Sequence, residues 1–299
     1  MPCYHPLQGW YACDGEEKGQ IRFARQPGVM YIETSLPCGK CVGCRMEQAR
    51  QWATRCMHEA ELHDDNCMVT LTYDDEHLPQ YGHLCPRDLT LWFKRLRKTF
   101  PNKKIRYFAA GEYGSQYQRP HYHVLIFGLD FQDELNYNPN DQRPLLTDLK
   151  DTWNYGHLKV TKFSYESAAY VARYCLKKQN ETQRDDRFIV DRTTGVLLTP
   201  EFTRMSRMPG IGAHWLSRNH VDTYQDDTVI AGGAKRRPPR YYDKRYEKIK
   251  GEGALDITKA KRIYEALKRS KDSTPERLAV REKIMKSALA EKRRGYEND

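Results

Sequence analysis

The sequence has no long apolar run: nothing in its 299 residues approaches the roughly 20 consecutive apolar positions that cross a bilayer, so no membrane partner is expected. The stretch from Met1 to Trp10 has neither a basic start nor an apolar segment. No secretory signal is therefore expected, and the chain is placed in a cytoplasm. No G-x-x-x-x-G-K-[ST] loop occurs, which argues against a fused P-loop helicase. Internal repeats and low-complexity tracts are also lacking. Apolar residues reach only 39%, enough for a core without much in reserve. Acidic residues are the minority sign, 40 against 50 Lys and Arg, and the net charge of +10 favours an anionic partner, most often nucleic acid. What is abundant is tyrosine, 20 residues, and tyrosines interleaved with basic residues suit base stacking beside phosphate contacts. Nine cysteines, three of them clustered, read as reduced thiols and a metal site rather than a disulfide framework.

Residues 1–45 read as irregular. A helix is expected after Cys44, from the spacing of Met46, Ala49, Trp52, Ala53, Cys56, Met57 and Ala60. A strand at Met68–Tyr73 follows, then a helix with Leu89, Trp92, Phe93, Leu96 and Phe100 as its apolar stripe, stopped by Pro101. Strands at Ile105–Ala110 and His121–Phe127 are separated by a short spacer, which favours an antiparallel pair. A helix around Leu145–Trp153, a strand at His157–Thr161 and a helix at Ser167–Lys178 complete the segment. This order predicts an α+β domain with a mainly antiparallel sheet. The expected division is 1–64, a Cys-rich segment and helix; 65–180, the catalytic core; 181–250, a loop-rich basic extension; and 251–299, a charged helical tail. Within the tail, Thr274-Pro275-Glu276 starts a helix whose narrow apolar face is Val280, Ile284, Met285, Ala288 and Leu289.

Three constellations carry chemistry. His121 and His123 sit at i, i+2 on one strand, so both imidazoles face the same way and can ligate one metal ion. Glu112, at the end of the preceding strand, can add a carboxylate, and a set of two nitrogens and one oxygen with open positions suits Mg²⁺ or Mn²⁺ as a Lewis acid. On the later helix Tyr170, Tyr174, Lys177 and Lys178 share a face. A phenol is a poor nucleophile at neutral pH unless a cation or base is near, and a metal with Lys177 would supply that setting. Cys38, Cys41 and Cys44 form C-x-x-C-x-x-C, with Gly39 and Gly43 allowing tight turns. Zinc is the first choice of metal, with Cys3 as fourth ligand and Cys13 or His5 as alternatives; an iron–sulfur cluster fits the same spacing. Basic residues gather at Arg95, Arg97, Lys98, Lys103, Lys104 and Arg106, and again at Lys235-Arg236-Arg237 with Arg240, Tyr241 and Tyr242; both groups read as phosphate contacts.

The His-Tyr-His strand followed by a Tyr-bearing helix resembles the HUH endonucleases. More narrowly, the sequence is similar to the replication initiation proteins of small icosahedral single-stranded DNA phages, the Microviridae, especially the gokushovirus branch. The resemblance covers about residues 36–178 and is looser through Met205–Gly212 and Arg237–Tyr242. It implies a sheet of about five antiparallel strands with helices on one side and the His strand at the centre. It implies that His121, His123 and Glu112 are metal ligands, that Tyr170 and Tyr174 are paired nucleophiles and that Lys177 assists them. Arg173 stands between the tyrosines where related initiators often carry Lys. Arg119, Arg173, Lys178, Arg237 and Arg240 are the expected DNA contacts. The implied activity is metal-dependent nicking and joining of single-stranded DNA at a viral origin, in the cytoplasm of a bacterial host, with host helicase and DNA polymerase as partners. Three alternatives stay open: a non-catalytic, zinc-containing nucleic-acid-binding protein, a relaxase- or transposase-like HUH enzyme, and an RNA-processing metalloprotein.

Overall fold

Residues 67–73 and 120–127 are buried at nearly every position, the pattern of strands covered on both faces. The computed structural model describes residues 3–16, 19–114, 117–132, 141, 143–177, 189–190, 195–268 and 270–291, with the backbone alone at 174–177, 189–190 and 291. The chain divides into two compact units, Ala49–Lys259 and the pair of segments Met1–Gln48 and Ala260–Asp299.

The elements in chain order are β1 (Leu7–Ala12), β2 (Ile21–Arg22), β3 (Tyr31–Leu36), α1 (Val42–Ala60), β4 (Asn66–Tyr73), α2 (Pro86–Thr99), β5 (Arg106–Tyr113), β6 (Pro120–Phe127), α3 (Leu146–Lys150), β7 (Gly156–Lys162) and α4 (Tyr165–Lys177). They continue with β8 (Ile189–Val190), β9 (Leu197–Leu198), β10 (Phe202–Met205), α5 (Ala213–Gln225), β11 (Val229–Ala231), β12 (Ala234–Arg236), α6 (Arg240–Lys250), α7 (Asp256–Lys268) and α8 (Pro275–Glu291).

In the larger unit five strands form one antiparallel sheet, ordered β10-β5-β6-β4-β7, so the His strand β6 is central and the expected α+β class holds. Helices cover both faces, not one. On the first face Met68, Phe108, Ala110, Leu125 and Phe127 pack with Ala49, Ala53 and Cys56 of α1 and with Ala168, Val171 and Ala172 of α4. On the second, Val69, Leu71, Tyr122, Val124 and Ile126 pack under Leu89, Trp92, Phe93 and Leu96 of α2 and under Leu149 of α3. The alternation of β4 and β6 feeds both layers, because each strand presents successive side chains to opposite faces.

The stretch 181–250, read as loop-rich, carries α5, the hairpin β11–β12 and α6. Leu216, Tyr224, Tyr242 and Leu255 bury a small cluster there. Below it, Glu59 of α1 joins the two regions inside the same unit: it pairs with Arg106 and accepts the Gly212 N–H at 2.6 Å.

The smaller unit contains a three-stranded antiparallel sheet, β2-β1-β3, in the region expected to be irregular. In α8, Leu278 is buried while Val280 and Ile284, expected on the apolar face, are exposed. Among the described residues no helix is long and apolar enough to cross a membrane.

Candidate active site

Strand register builds the site. β5 and β6 pair so that Glu112 lies opposite His121 and Ala110 opposite His123. On the other flank β4 sets Thr70 opposite His123 and Thr72 opposite His121. Cross-strand partners share a face, so the carboxylate and both imidazoles converge on the side covered by α1 and α4. Glu112 Oε1 lies 2.9 Å from His121 Nε2 and 2.8 Å from His123 Nε2. One ligand atom from each of the three lies within 4.8 Å of the others, a spacing that could hold a metal ion. Glu112 and His123 are 2% and 4% exposed, so this is no surface carboxylate in a turn.

The outer atoms orient the inner ones. His121 Nδ1 is 3.0 Å from the Arg119 carbonyl, which can only accept, so Nδ1 carries the hydrogen. The Nε2 of a neutral His121 then aims a lone pair at a carboxylate oxygen, a repulsive contact unless a proton or a cation sits between. His123 Nδ1 is held in turn by the Thr70 hydroxyl at 3.0 Å. Glu112 Oε2 is buried without a hydrogen-bond partner. An orphaned carboxylate oxygen and two imidazoles fixed through their outer nitrogens fit a divalent cation. Burial opposes ionisation of Glu112, but the facing imidazoles outweigh it and hold the carboxyl below its usual range. Burial likewise opposes charge on His121, yet the Glu112 hydrogen bond raises its pKa, whereas at His123 burial prevails and the pKa falls.

Helix α4 delivers Tyr170. The helix opens on Ser164, whose Oγ accepts the Ser167 N–H at 3.2 Å while Ser167 Oγ accepts the Ser164 N–H at 2.9 Å, a reciprocal cap that fixes where it begins. Tyr170 is 4% exposed. Its hydroxyl is 3.5 Å from His123 Nε2, and its ring meets the imidazole edge-on at 5.1 Å. Tyr174 and Lys177 lie one and two turns further along the α4 backbone; their side chains, and Lys178 altogether, lie outside the described residues. Arg173 is exposed on the same helix.

The second metal candidate also assembles: one sulfur from each of Cys3, Cys38, Cys41 and Cys44 lies within 4.8 Å of the others. The alternatives for the fourth ligand go elsewhere, Cys13 to the Tyr11 carbonyl and His5 to Glu282.

The expected basic contacts sort into two groups. Arg237 and Arg240 are exposed. Arg119 is partly exposed, paired with Asp75 at 2.7 Å and donating to the Tyr73 carbonyl at 3.0 Å. Arg106, expected among the phosphate contacts, is instead buried against Glu59 and the Pro209 carbonyl, and Arg95 donates to the Thr152 carbonyl at 2.7 Å. Tyr242 of the second basic cluster is fully buried. Sequence reasoning missed Thr70; its signal was a polar residue, in phase with Met68 and Thr72, between the apolar Val69 and Leu71.

The family model for replication-associated protein ORF2/G2P matches residues 66–179, the span from β4 to the end of α4. The chain is 32% identical to replication-associated protein ORF2 of Spiroplasma virus 4 over 285 residues, 88% of this chain and 86% of that one. It is 30% identical to replication-associated protein VP4 of Bdellovibrio phage phiMH2K over 269 residues, 83% and 78% of the two chains. A third relative, replication-associated protein ORF4 of Chlamydia phage 1, is 32% identical over half of this chain and 40% of its own length. No solved structure matches. With two relatives aligned along most of both chains and the family model falling on the strands and helix that assemble Glu112, His121, His123 and Tyr170, the chain belongs to the phage replication-associated protein family.

Proposed function

We propose that this protein initiates rolling-circle replication by nicking single-stranded DNA at a viral origin with a tyrosine. One observation carries the reading: the Tyr170 hydroxyl stands 3.5 Å from Nε2 of a histidine that shares a buried carboxylate with a second histidine. Glu112, His121 and His123 would hold Mg²⁺ or Mn²⁺, which supplies Lewis-acid charge to a non-bridging phosphate oxygen. The remaining chemistry falls to the chain's own residues. Tyr170 or Tyr174 loses its phenolic proton and forms the O–P bond; the P–O3′ bond breaks, and the leaving oxygen takes up a proton as a free 3′-OH. The 5′-phosphotyrosyl bond conserves the energy of the phosphodiester, so joining needs no nucleotide. Two tyrosines one helical turn apart allow the second to cut the regenerated origin while the first junction is resealed.

Lys177, two turns along α4 from Tyr170, is assigned to support the phenolate. Arg119, Arg173, Lys178, Arg237 and Arg240 are assigned to the DNA backbone, where each contact would weaken with salt. The 3′-OH would prime a host polymerase, a host helicase would open the duplex, and the setting would be the bacterial cytoplasm. The names of the relatives support a replication role, and the site geometry supports its chemistry.

Cleavage of origin-bearing single-stranded DNA should require Mg²⁺ or Mn²⁺ and stop with EDTA or with His121→Ala/His123→Ala. A protein that shifts the DNA on a native gel equally well with and without the two histidines, and never cuts it, would be a binding protein instead.

A further inference from the structure

Among its described residues, the smaller unit packs its sheet thinly. In and beside its three strands Phe23, Met30 and Ile32 are more than half exposed, at 63%, 64% and 61%. Its hydrophobic cluster contains three buried residues, Tyr4, Cys41 and Leu278, with Val42 and Met285 packed beside them. A sheet this small with so little buried apolar area is not stable alone and calls for a staple.

The cysteines stand where a staple would act. Leu7 and Leu36 form the last pair joining β1 to β3; Cys3 precedes β1 and Cys38 follows β3 beyond that pair. Cys41 and Cys44 open the following helix, and Leu278 and Met285 of α8 pack against the cluster. Cys41 Sγ and Cys3 Sγ are 3.9 Å apart. Tetrahedral zinc with Zn–S bonds of about 2.3 Å separates its sulfurs by about 3.8 Å. Backbone amides also aim at the sulfurs: Cys38 N–H at Cys3 Sγ (3.2 Å), Cys41 N–H at Cys38 Sγ (3.3 Å), and Tyr4 and Cys44 N–H at Cys41 Sγ (3.3 and 3.5 Å). A neutral thiol is a weak acceptor, so four amides converging on three sulfurs match thiolates. Gly39, at φ +76° between Cys38 and Cys41, permits the tight turn.

We infer that Cys3, Cys38, Cys41 and Cys44 bind one zinc ion in a closed, structural site that clamps the start of β1 and the end of β3 to the start of α1 and to α8. Four sulfurs fill the tetrahedron, leaving no open position for catalysis. Ligand spacing within 4.8 Å suits a single ion; thiolates around an iron–sulfur cluster must stand further apart. The binding free energy becomes folding free energy for this unit. The inference stands independently of the nicking reading.

The test uses the full chain carrying His121→Ala/His123→Ala, so that zinc at the histidine site cannot be counted. Metal analysis after gel filtration should find one zinc per chain, retained in Cys13→Ser and lost in Cys38→Ser and in Cys41→Ser. Because a cysteine variant could fail to fold, Co²⁺ exchange into the parent supplies a second readout: thiolate-to-cobalt charge transfer with intense tetrahedral d–d bands. Releasing the metal should open residues 7–36 to protease while the span 66–173 survives. Iron with sulfide in the parent, or no metal with all four thiols alkylated in the native protein, would overturn the inference.

Discussion

His58 is inside the protein at 0% exposure and should make its stability fall steeply in mild acid. Its ring stacks on Trp215 with centroids 3.6 Å apart. Nε2 is 2.9 Å from the Ile230 carbonyl, which can only accept, so Nε2 carries the hydrogen. Nδ1 then accepts from the Tyr242 hydroxyl at 2.9 Å. A neutral ring satisfies both partners; a second proton would bury a charge and turn the Tyr242 hydroxyl away. Burial accordingly depresses the pKa from the ordinary 6.5 to about 4. Protons therefore bind the unfolded chain more tightly, and the contribution is complete above about pH 6.5 and is lost as the pH falls toward 4. At about 1.4 kcal/mol per pH unit, the drop from pH 7 to pH 5 costs about 2 kcal/mol, roughly a factor of 30 in the folded ratio. Urea unfolding followed by tryptophan fluorescence at the two pH values, on the parent and on His58→Gln, isolates the term as a difference. Equal losses in both proteins would refute the reasoning.

Two other perturbations follow from the same structure. Glu59→Gln leaves the buried Arg106 guanidinium without its carboxylate and should cost about 3–5 kcal/mol in thermal unfolding; a change below about 1 kcal/mol would mean that Pro209 and solvent suffice for Arg106. Thr70→Val removes the hydroxyl that holds His123 Nδ1 and should weaken Mn²⁺ binding about 10–100-fold in calorimetry, with the fold intact by circular dichroism; unchanged affinity would show that strand register alone orients His123.

The core was legible because its signals were strong and local. Leu89, Trp92, Phe93 and Leu96 recur at helical spacing, and the structure buries all four. The placement of Glu112 near His121 and His123 followed from a short spacer and strand alternation. The sheet β1–β3 was not legible, since its strands bury few residues and show no alternation of apolar and polar positions. Helices α5 and α6 were hidden because their buried face is built from Trp215, Tyr224, Tyr242 and Tyr246, aromatic residues that also read as a nucleic-acid surface. Covering helices on both faces could have been inferred from the unbroken apolar run Val124–Phe127, which one-sided packing does not explain. In α8 several apolar stripes were available, and the contact with Tyr4 and Cys41 selected Leu278, a choice set by a segment more than 200 residues away in sequence.

The central claim is that a tyrosine beside the Glu112–His121–His123 cluster becomes joined to DNA. The most direct measurement mixes the purified full chain with origin-bearing single-stranded circles and Mn²⁺, denatures the sample, and maps the modified peptide by mass spectrometry. The account predicts a nucleotide attached through phosphate to Tyr170 or Tyr174, absent with EDTA, absent in His121→Ala/His123→Ala, and absent in Tyr170→Phe/Tyr174→Phe. Cut DNA without a protein adduct, or an adduct on a tyrosine outside α4, would contradict it.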